Sequence, residues 1–189
     1  MKHYIDVRIK PDAEMRQNIL LNTVYTKLHK ALFEDNSNTI GISFPEYKIL
    51  LGNIIRLHSS NTELESIIET NWLGGLAGYC TVSEILAVPE DAKYRIVSRW
   101  QSNMSESGLR RLIKRAEKRG EAFNGEQIKN YRVKMYKEQL TERPYLELQS
   151  GSNGHRHRRY IQFGELVDKP VQGKFDTFGL SKTATIPWF

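Results

Sequence analysis

Two hydrophobic periods alternate over roughly the first ninety residues, and that alternation restricts the fold more than any other property of this chain. His3, Ile5, Val7 and Ile9 lie on one side of an extended segment and Tyr4, Asp6, Arg8 and Lys10 on the other, the period of two of a half-buried strand. Pro11-Asp12 stops it. Leu20, Val24, Leu28, Ala31 and Leu32 then recur at helical spacing, which predicts an amphipathic helix over residues 13–34. A polar loop at 34–38 precedes a short apolar strand at 39–44, stopped by Pro45, and Asn53–His58 reads as the next strand. A helix follows from Asn61 or Thr62 to Trp72, with Thr62 and Glu65 at capping-box spacing. Gly74-Gly75 and Gly78 break it, and strands are expected near 81–88 and 93–101.

Strand, helix, strand, strand, helix, strand is the order of the ferredoxin-like plan, shared with RNA-recognition modules. The plan hosts many functions and assigns none. Beyond it the chain predicts a helix over 105–119 closed by Gly120 and a polar helix over 125–139. After Pro144, two alternating segments, Tyr145–Ser150 and His157–Phe163, flank Asn153-Gly154 as a hairpin. The tail from Phe175 to Phe189 is aromatic and carries Gly179 and Pro187. The expected class is α+β: an N-terminal ferredoxin-like (RRM-like) domain, residues 1–92, and a C-terminal region, 93–189, holding a basic helix and a β-hairpin.

The boundary rests on charge. Residues 1–92 hold 8 Lys+Arg against 12 Asp+Glu, whereas residues 93–189 hold 20 against 10. Segregated positive charge attracts a polyanion, because each phosphate contact releases a condensed counterion. The densest stretch is LRRLIKRAEKR at 109–119. Leu109, Leu112, Ile113 and Ala116 form one stripe of a helix; Arg110, Arg111, Lys114, Arg115, Lys118 and Arg119 leave the rest basic. Glu106 and Glu117 are the carboxylates near enough in sequence to neutralise it. Arginine suits bidentate phosphate or guanine contacts. Arg99 and Gln101, two apart on an extended segment, point the same way; Arg can pair with guanine and Gln with adenine.

Other classes lose support. The single Cys80 cannot form an internal disulfide, no apolar run reaches the ~20 residues that cross a bilayer, and the start lacks a signal-peptide core. A cytoplasmic protein without a membrane is expected. No Walker loop, dinucleotide fingerprint or nucleophile elbow occurs. His155-x-His157 lacks further ligands nearby, and paired carboxylates are missing from the basic half; neither metal nor cofactor is expected. What remains is acid–base chemistry on RNA, which carries its own nucleophile in the 2′-hydroxyl. Histidine titrates near neutrality and suits the proton transfer. His29 flanks the apolar stripe of the first helix, and Ser150 and Ser152 sit at the hairpin tip.

The chain resembles, nearly end to end, the CRISPR-associated repeat-processing endoribonuclease of subtype I-F. The resemblance is carried by HYID at 3–6, KLHKAL around His29, GISFP at 41–45 and YR-x-VSR-x-Q at 94–101. The basic helix, SGSNG at 150–154, and the closing FGLSK and PWF complete it. It implies a metal-free enzyme that cuts at the base of a CRISPR repeat stem-loop, leaving a 2′,3′-cyclic phosphate and a 5′-hydroxyl. It then remains on the crRNA hairpin with the other subunits of the effector complex. By this likeness His29 is the general base, Ser150 positions the 2′-hydroxyl, and Ser152 assists. Arg99 and Gln101 read two purines, and Arg111 and Arg115 follow the groove. Arg110, Lys114, Lys118, Arg119, Arg156, Arg158 and Phe178 complete the expected RNA-binding set without being matched to the family's pattern. The chain departs from the pattern in two aromatic places: Phe178 stands where a tyrosine is usual, and His157 where an aromatic stacks under the last base pair. Leu112 and Ala116 occupy helix positions that tend to be basic. A hairpin-RNA scaffold that cuts poorly, and a duplex-DNA binder using the basic helix, are the alternatives.

Overall fold

The computed structural model describes residues 1–149 and 154–189. It is a mixed α+β structure with antiparallel sheets. Strand β1, His3–Ile9, buries Ile5, Val7 and Ile9 as its period requires. Helix α1 spans Gln17–Glu34 and starts four residues later than the sequence predicts. The Asp12 carboxylate accepts the amides of Glu14 and Met15, a side-chain turn that competes with a first helical turn. Next come β2, Gly41–Ser43, and β3, Ile54–Ser59, both buried throughout. Helix α2, Asn61–Glu69, is capped by Ser60, whose hydroxyl accepts from the Glu63 amide while Glu63 reaches back. The capping box is therefore Ser60–Glu63, two residues before the expected pair, and the helix ends before Trp72.

A 3₁₀ turn, Gly74–Tyr79, leads into β4, Cys80–Val82, and β5, Leu86–Ala87. These replace the single strand expected at 81–88. Both pair with β1, and between them the Ser83 hydroxyl takes the Asp6 amide out of the ladder. The sheet runs β2-β3-β1-β4, with β5 also on β1. Register pairs Ile5 with Leu57 and Val7 with Ile55.

Strand β6, Lys93–Arg95, pairs with a C-terminal strand, whereas β7, Val97–Arg99, enters a different sheet. Two helices follow: α3, Glu106–Lys118, and α4, Gly125–Leu140. The hairpin is β8, Tyr145–Gln149, and β9, Arg156–Phe163, in register from Tyr145–Tyr160 to Gln149–Arg156. With β7 it forms the sheet β7-β9-β8. The last strand, β10, Ile186–Trp188, pairs with β6. It has no sequence signature, because Pro187 interrupts the strand pattern.

The chain divides into two compact units, Met1–Arg99 with Pro144–Phe189, and Trp100–Arg143. This is a division of packing; the charge shift near residue 92 is one of composition. In the larger unit Leu20, Val24 and Leu28 of α1 share one core with Ile5, Val7 and Leu57 of the first sheet and Leu146, Leu148 and Ile161 of the second. A helix with a sheet on two sides buries a wide stripe, so Leu21 and Tyr25 are interior as well. In the smaller unit the Ser105 hydroxyl caps α3 through the Gly108 amide and Asn124 forms a capping box with Gln127 at α4.

Candidate functional site

The exposed edge of α1 meets the hairpin sheet at a cleft of about 390 Å³. Thr26, His29, Lys30 and Phe33 line it from α1, Leu148 and Gln149 from β8, His157 and Arg159 from β9, and Phe178 from the C-terminal tail. His29 sits one position beyond buried Leu28, so its ring lies half-buried at the helix margin. His157 and Arg159 share a face of β9 with Ile161, the face that α1 covers.

The tail reaches His29 through a tight loop. The Asp176 carboxylate accepts the amides of Phe178 and Leu180, at 2.9 Å each. Gly179 has φ +67°, and an added Cβ there would run into the Ile42 side chain. The Ile42 amide donates to the Gly179 carbonyl at 2.9 Å, which ties the loop to β2. The Tyr25 hydroxyl, fully buried, donates to the Phe178 carbonyl at 2.7 Å; burial raises its pKa far above the usual phenol range. These bonds place the Thr177 carbonyl 2.8 Å from His29 Nδ1. A carbonyl only accepts, so Nδ1 carries the proton and the neutral ring keeps its lone pair at Nε2. Burial lowers the His29 pKa below its ordinary value; the Thr177 contact opposes this, Arg159 adds to it and Asp176 opposes it. The neutral, proton-accepting form is favoured.

The Phe178 ring stacks on His29 with centroids 3.5 Å apart and planes at 14°. The Arg159 guanidinium carbon lies 3.5 Å from the same ring centre. Two groups at that distance cannot occupy one face, so Phe178 is sandwiched between imidazole and guanidinium. A phenylalanine at this position still packs on His29, and the backbone of Thr177 selects the tautomer without any hydroxyl from residue 178.

Other residues singled out from the sequence fall in several places. Arg99 ends β7, pairs with Ile161 and shares a face with Arg159. The ladder stops there, so Gln101 is not on the same strand, and both are exposed. Arg156 borders a neighbouring groove with Asn22, Lys27 and Glu147. Arg158 points to the other face of β9, its guanidinium 4.5 Å from the Tyr145 ring centre. Ser150 and Ser152 lie outside the described residues.

On α3, Arg110, Arg111, Lys114, Arg115, Lys118 and Arg119 are all exposed. Leu109 and Ala116 are buried, but Leu112 is 38 % exposed. The apolar stripe is narrower than expected because Leu112 lies at its margin and a two-helix unit covers little of each helix. Glu106 is engaged chiefly by Arg132 of α4, which holds its carboxylate at 2.9 Å and lowers its pKa, with a smaller effect from Arg110; Glu121, beyond the helix, lies 3.9 Å from Arg119.

Sequence reasoning passed over Arg159, Gln149 and Lys30 as site residues. The period of β9 could have separated Arg159 from Arg158, since Arg159 falls in step with Ile161. Among the described residues, no group of three or more His, Cys, Asp or Glu side chains is placed to hold a metal ion, and no helix is long and apolar enough to cross a membrane.

Comparison with known proteins identifies the family. The chain is 36 % identical to a CRISPR-associated endonuclease Cas6/Csy4 of Escherichia coli (strain UTI89 / UPEC), over 100 % of both chains. It is 33 % identical to a CRISPR-associated endonuclease Cas6/Csy4 of Pseudomonas aeruginosa (strain UCBPP-PA14), again over 100 % of both. A solved structure described as an RAMP protein binding different RNA substrates covers 97 % of this chain and 99 % of its own, with a TM-score of 0.32 and 14 % identity, too weak a likeness to bear on the fold. Residues 4–189 match the model of a family described as CRISPR-associated protein (Cas_Csy4). With that match and two full-length relatives above 30 % identity, this chain belongs to the Cas_Csy4 family of CRISPR-associated proteins.

Proposed function

We propose that this chain is a sequence- and structure-specific endoribonuclease that cuts CRISPR precursor RNA at the base of the repeat stem-loop, without metal, using the RNA's own 2′-hydroxyl. The observation that carries the chemistry is His29, whose Nδ1–H is bonded to the Thr177 carbonyl and whose Nε2 is left to accept a proton. Family membership and the endonuclease names of its relatives support the substrate and the reaction class.

In the proposed step Nε2 takes the 2′-hydroxyl proton as the 2′-oxygen attacks phosphorus. The bond to the 5′-oxygen breaks, and that oxygen takes a proton from water. A 2′,3′-cyclic phosphate and a 5′-hydroxyl result. Ser150 is assigned to orient the 2′-hydroxyl, with Ser152 assisting; Gln149, the residue before Ser150, lines the His29 cleft and supports this. His157 is assigned to stack beneath the last base pair. Arg99 and Gln101 read bases, and the exposed cations of α3 and of Arg156 and Arg158 hold phosphates.

The order β1-α1-β2-β3-α2-β4 with strand order β2-β3-β1-β4 supports reading the first part as a ferredoxin-like, RRM-like platform. Residues 1–92 then supply the base and 93–189 most RNA-binding groups. The product stays bound as the 3′ hairpin of a crRNA within a cytoplasmic subtype I-F effector complex.

The test is incubation of the chain with its repeat RNA in EDTA, with mapping of the product ends. Cyclic phosphate and 5′-hydroxyl ends are expected, with no cleavage by His29→Ala or of RNA carrying a 2′-deoxy sugar before the scissile phosphate. Both should still bind. Cleavage of the deoxy RNA refutes the mechanism; tight binding without any product favours a scaffold.

A further inference from the structure

Besides the exposed Arg158 at Tyr145, three arginines of the larger unit are packed against aromatic rings among the described residues, and two of them are fully accounted for. Arg56 is paired with the Asp6 carboxylate at 2.6 and 2.8 Å and donates to the Phe189 carbonyl at 3.3 Å. Arg95 donates twice to the Gly164 carbonyl, at 3.0 and 2.6 Å, amid the rings of Tyr47, Phe163 and Trp188. Arg159 differs. It is only 7 % exposed. Among the described residues its Nε–H has no acceptor and no carboxylate forms an ion pair with it. Asp176 offsets its charge from beyond ion-pair distance, so the buried guanidinium, with one N–H unpaired, is only partly compensated, a costly state for a cation removed from water.

The surroundings say what supplies the rest of the compensation. Arg159 lines the same cleft as His29, one aromatic ring away. Arg99 adds positive charge on the same face of the sheet. An anion beside a proton-accepting imidazole is the position of a phosphodiester whose 2′-hydroxyl is being deprotonated. We propose that Arg159 is a phosphate-binding catalytic residue whose guanidinium takes a non-bridging oxygen of the scissile phosphodiester. The inference rests on the endoribonuclease reading and deepens it.

During the step the proton of the 2′-hydroxyl passes to His29 Nε2, the O2′–P bond forms and the P–O5′ bond breaks, with a proton from water reaching the 5′-oxygen. The phosphorus centre passes from one negative charge to two. A buried guanidinium interacts more strongly with that doubled charge than with the ground state, which is the condition for raising the rate and not merely binding. The same cation disfavours protonation of His29 in the free protein, behind the larger effect of burial.

The experiment uses the full chain and its repeat hairpin RNA. Single-turnover cleavage is measured for wild type, Arg159→Met and Arg159→Lys, on RNA with a normal scissile phosphate and with each of its two phosphorothioate diastereomers. Arg159→Met is expected to slow cleavage by about 10²–10³-fold, the usual loss for one preorganised donor. Its Kd for uncleavable 2′-deoxy RNA should stay within about threefold, and Arg159→Lys should recover part of the rate. The rate penalty of one diastereomer should shrink in Arg159→Met. Removing a buried charge that is only partly compensated should leave the melting temperature at or above wild type. Wild-type rates in Arg159→Met overturn the assignment, as do a full wild-type thio effect in the slowed variant or a lowered melting temperature. If wild type itself leaves the RNA whole, the endoribonuclease reading fails first and takes this one with it.

Discussion

Gly179 holds the loop that delivers Thr177 and Phe178 to His29, and its replacement by alanine tests that geometry. At φ +67° an L side chain costs about 1–2 kcal/mol in backbone strain. The new Cβ would also meet Cγ1, Cδ1 and Cβ of Ile42, a residue with no exposed surface, across a backbone bond of 2.9 Å that sets the separation. Overpacking of this kind costs about 1–3 kcal/mol more. Gly179→Ala is therefore expected to lose about 2–5 kcal/mol in all, read as a lower urea midpoint by tryptophan fluorescence. The two parts separate in a double-mutant cycle. In an Ile42→Ala background the Cγ1 and Cδ1 contacts disappear and only the looser Cβ contact remains, so the glycine substitution should cost less, approaching the strain of about 1–2 kcal/mol. Cleavage should fall with stability in the single variant, because the Thr177 carbonyl moves off Nδ1. A Gly179→Ala protein within about 0.5 kcal/mol of wild type, the range of an ordinary surface change, would refute this account. An equal cost in both backgrounds would refute its steric half.

Three further outcomes are expected. Cleavage at subsaturating RNA, which reports the free enzyme, should rise with pH as His29 loses its proton and level off. Burial lowers the His29 pKa, so the half-maximal point should lie below 6.5; a midpoint above that, or a rate that falls with pH, would contradict the assignment. His58 is wholly buried, with the Ser43 hydroxyl at 2.8 Å from Nε2, and its pKa is depressed chiefly by burial, with Arg56 and the N-terminus adding to the effect. Its unfolded form takes a proton that the folded form refuses, so it makes folding stability fall as pH drops below about 6.5, by up to about 1.4 kcal/mol per pH unit. His58→Gln should flatten that slope, and an unchanged slope would show that other groups cause it. Arg111→Ala and Arg115→Ala should each weaken RNA binding and reduce the salt slope of log K by about 0.7–0.9; an unaltered slope would remove that residue from the phosphate contacts.

Much of this protein could be read in one dimension because secondary structure answers to local periods. Ile5, Val7 and Ile9 require a strand, Leu20 through Leu32 require a helix, and the basic residues between 109 and 119 can only coat one. Position within those elements was legible too: His29 is next to a buried leucine, and the arginines of α3 oppose Leu109 and Ala116. Errors cluster where side chains compete with backbone pairing. Asp12 delays α1, Ser60 takes the cap from Thr62, and Ser83 splits a strand. Nothing local announced β10, since a three-residue strand containing Pro187 exists only because β6 offers an edge.

The chemistry of the cleft belongs to the tertiary structure. Periodicity cannot say that Thr177, 148 positions away, meets His29, or that Phe178 separates it from Arg159. In the sequence Arg158 and Arg159 are neighbours in a basic run. Packing of α1 and Phe178 on the hairpin sheet buries the second and leaves the first at Tyr145. Charge, amphipathic pattern and the candidate base were determined by residue order. Tautomer, depressed pKa and the buried guanidinium with its unpaired Nε–H came from long-range burial, which depends on what covers each face and leaves no local trace in the chain.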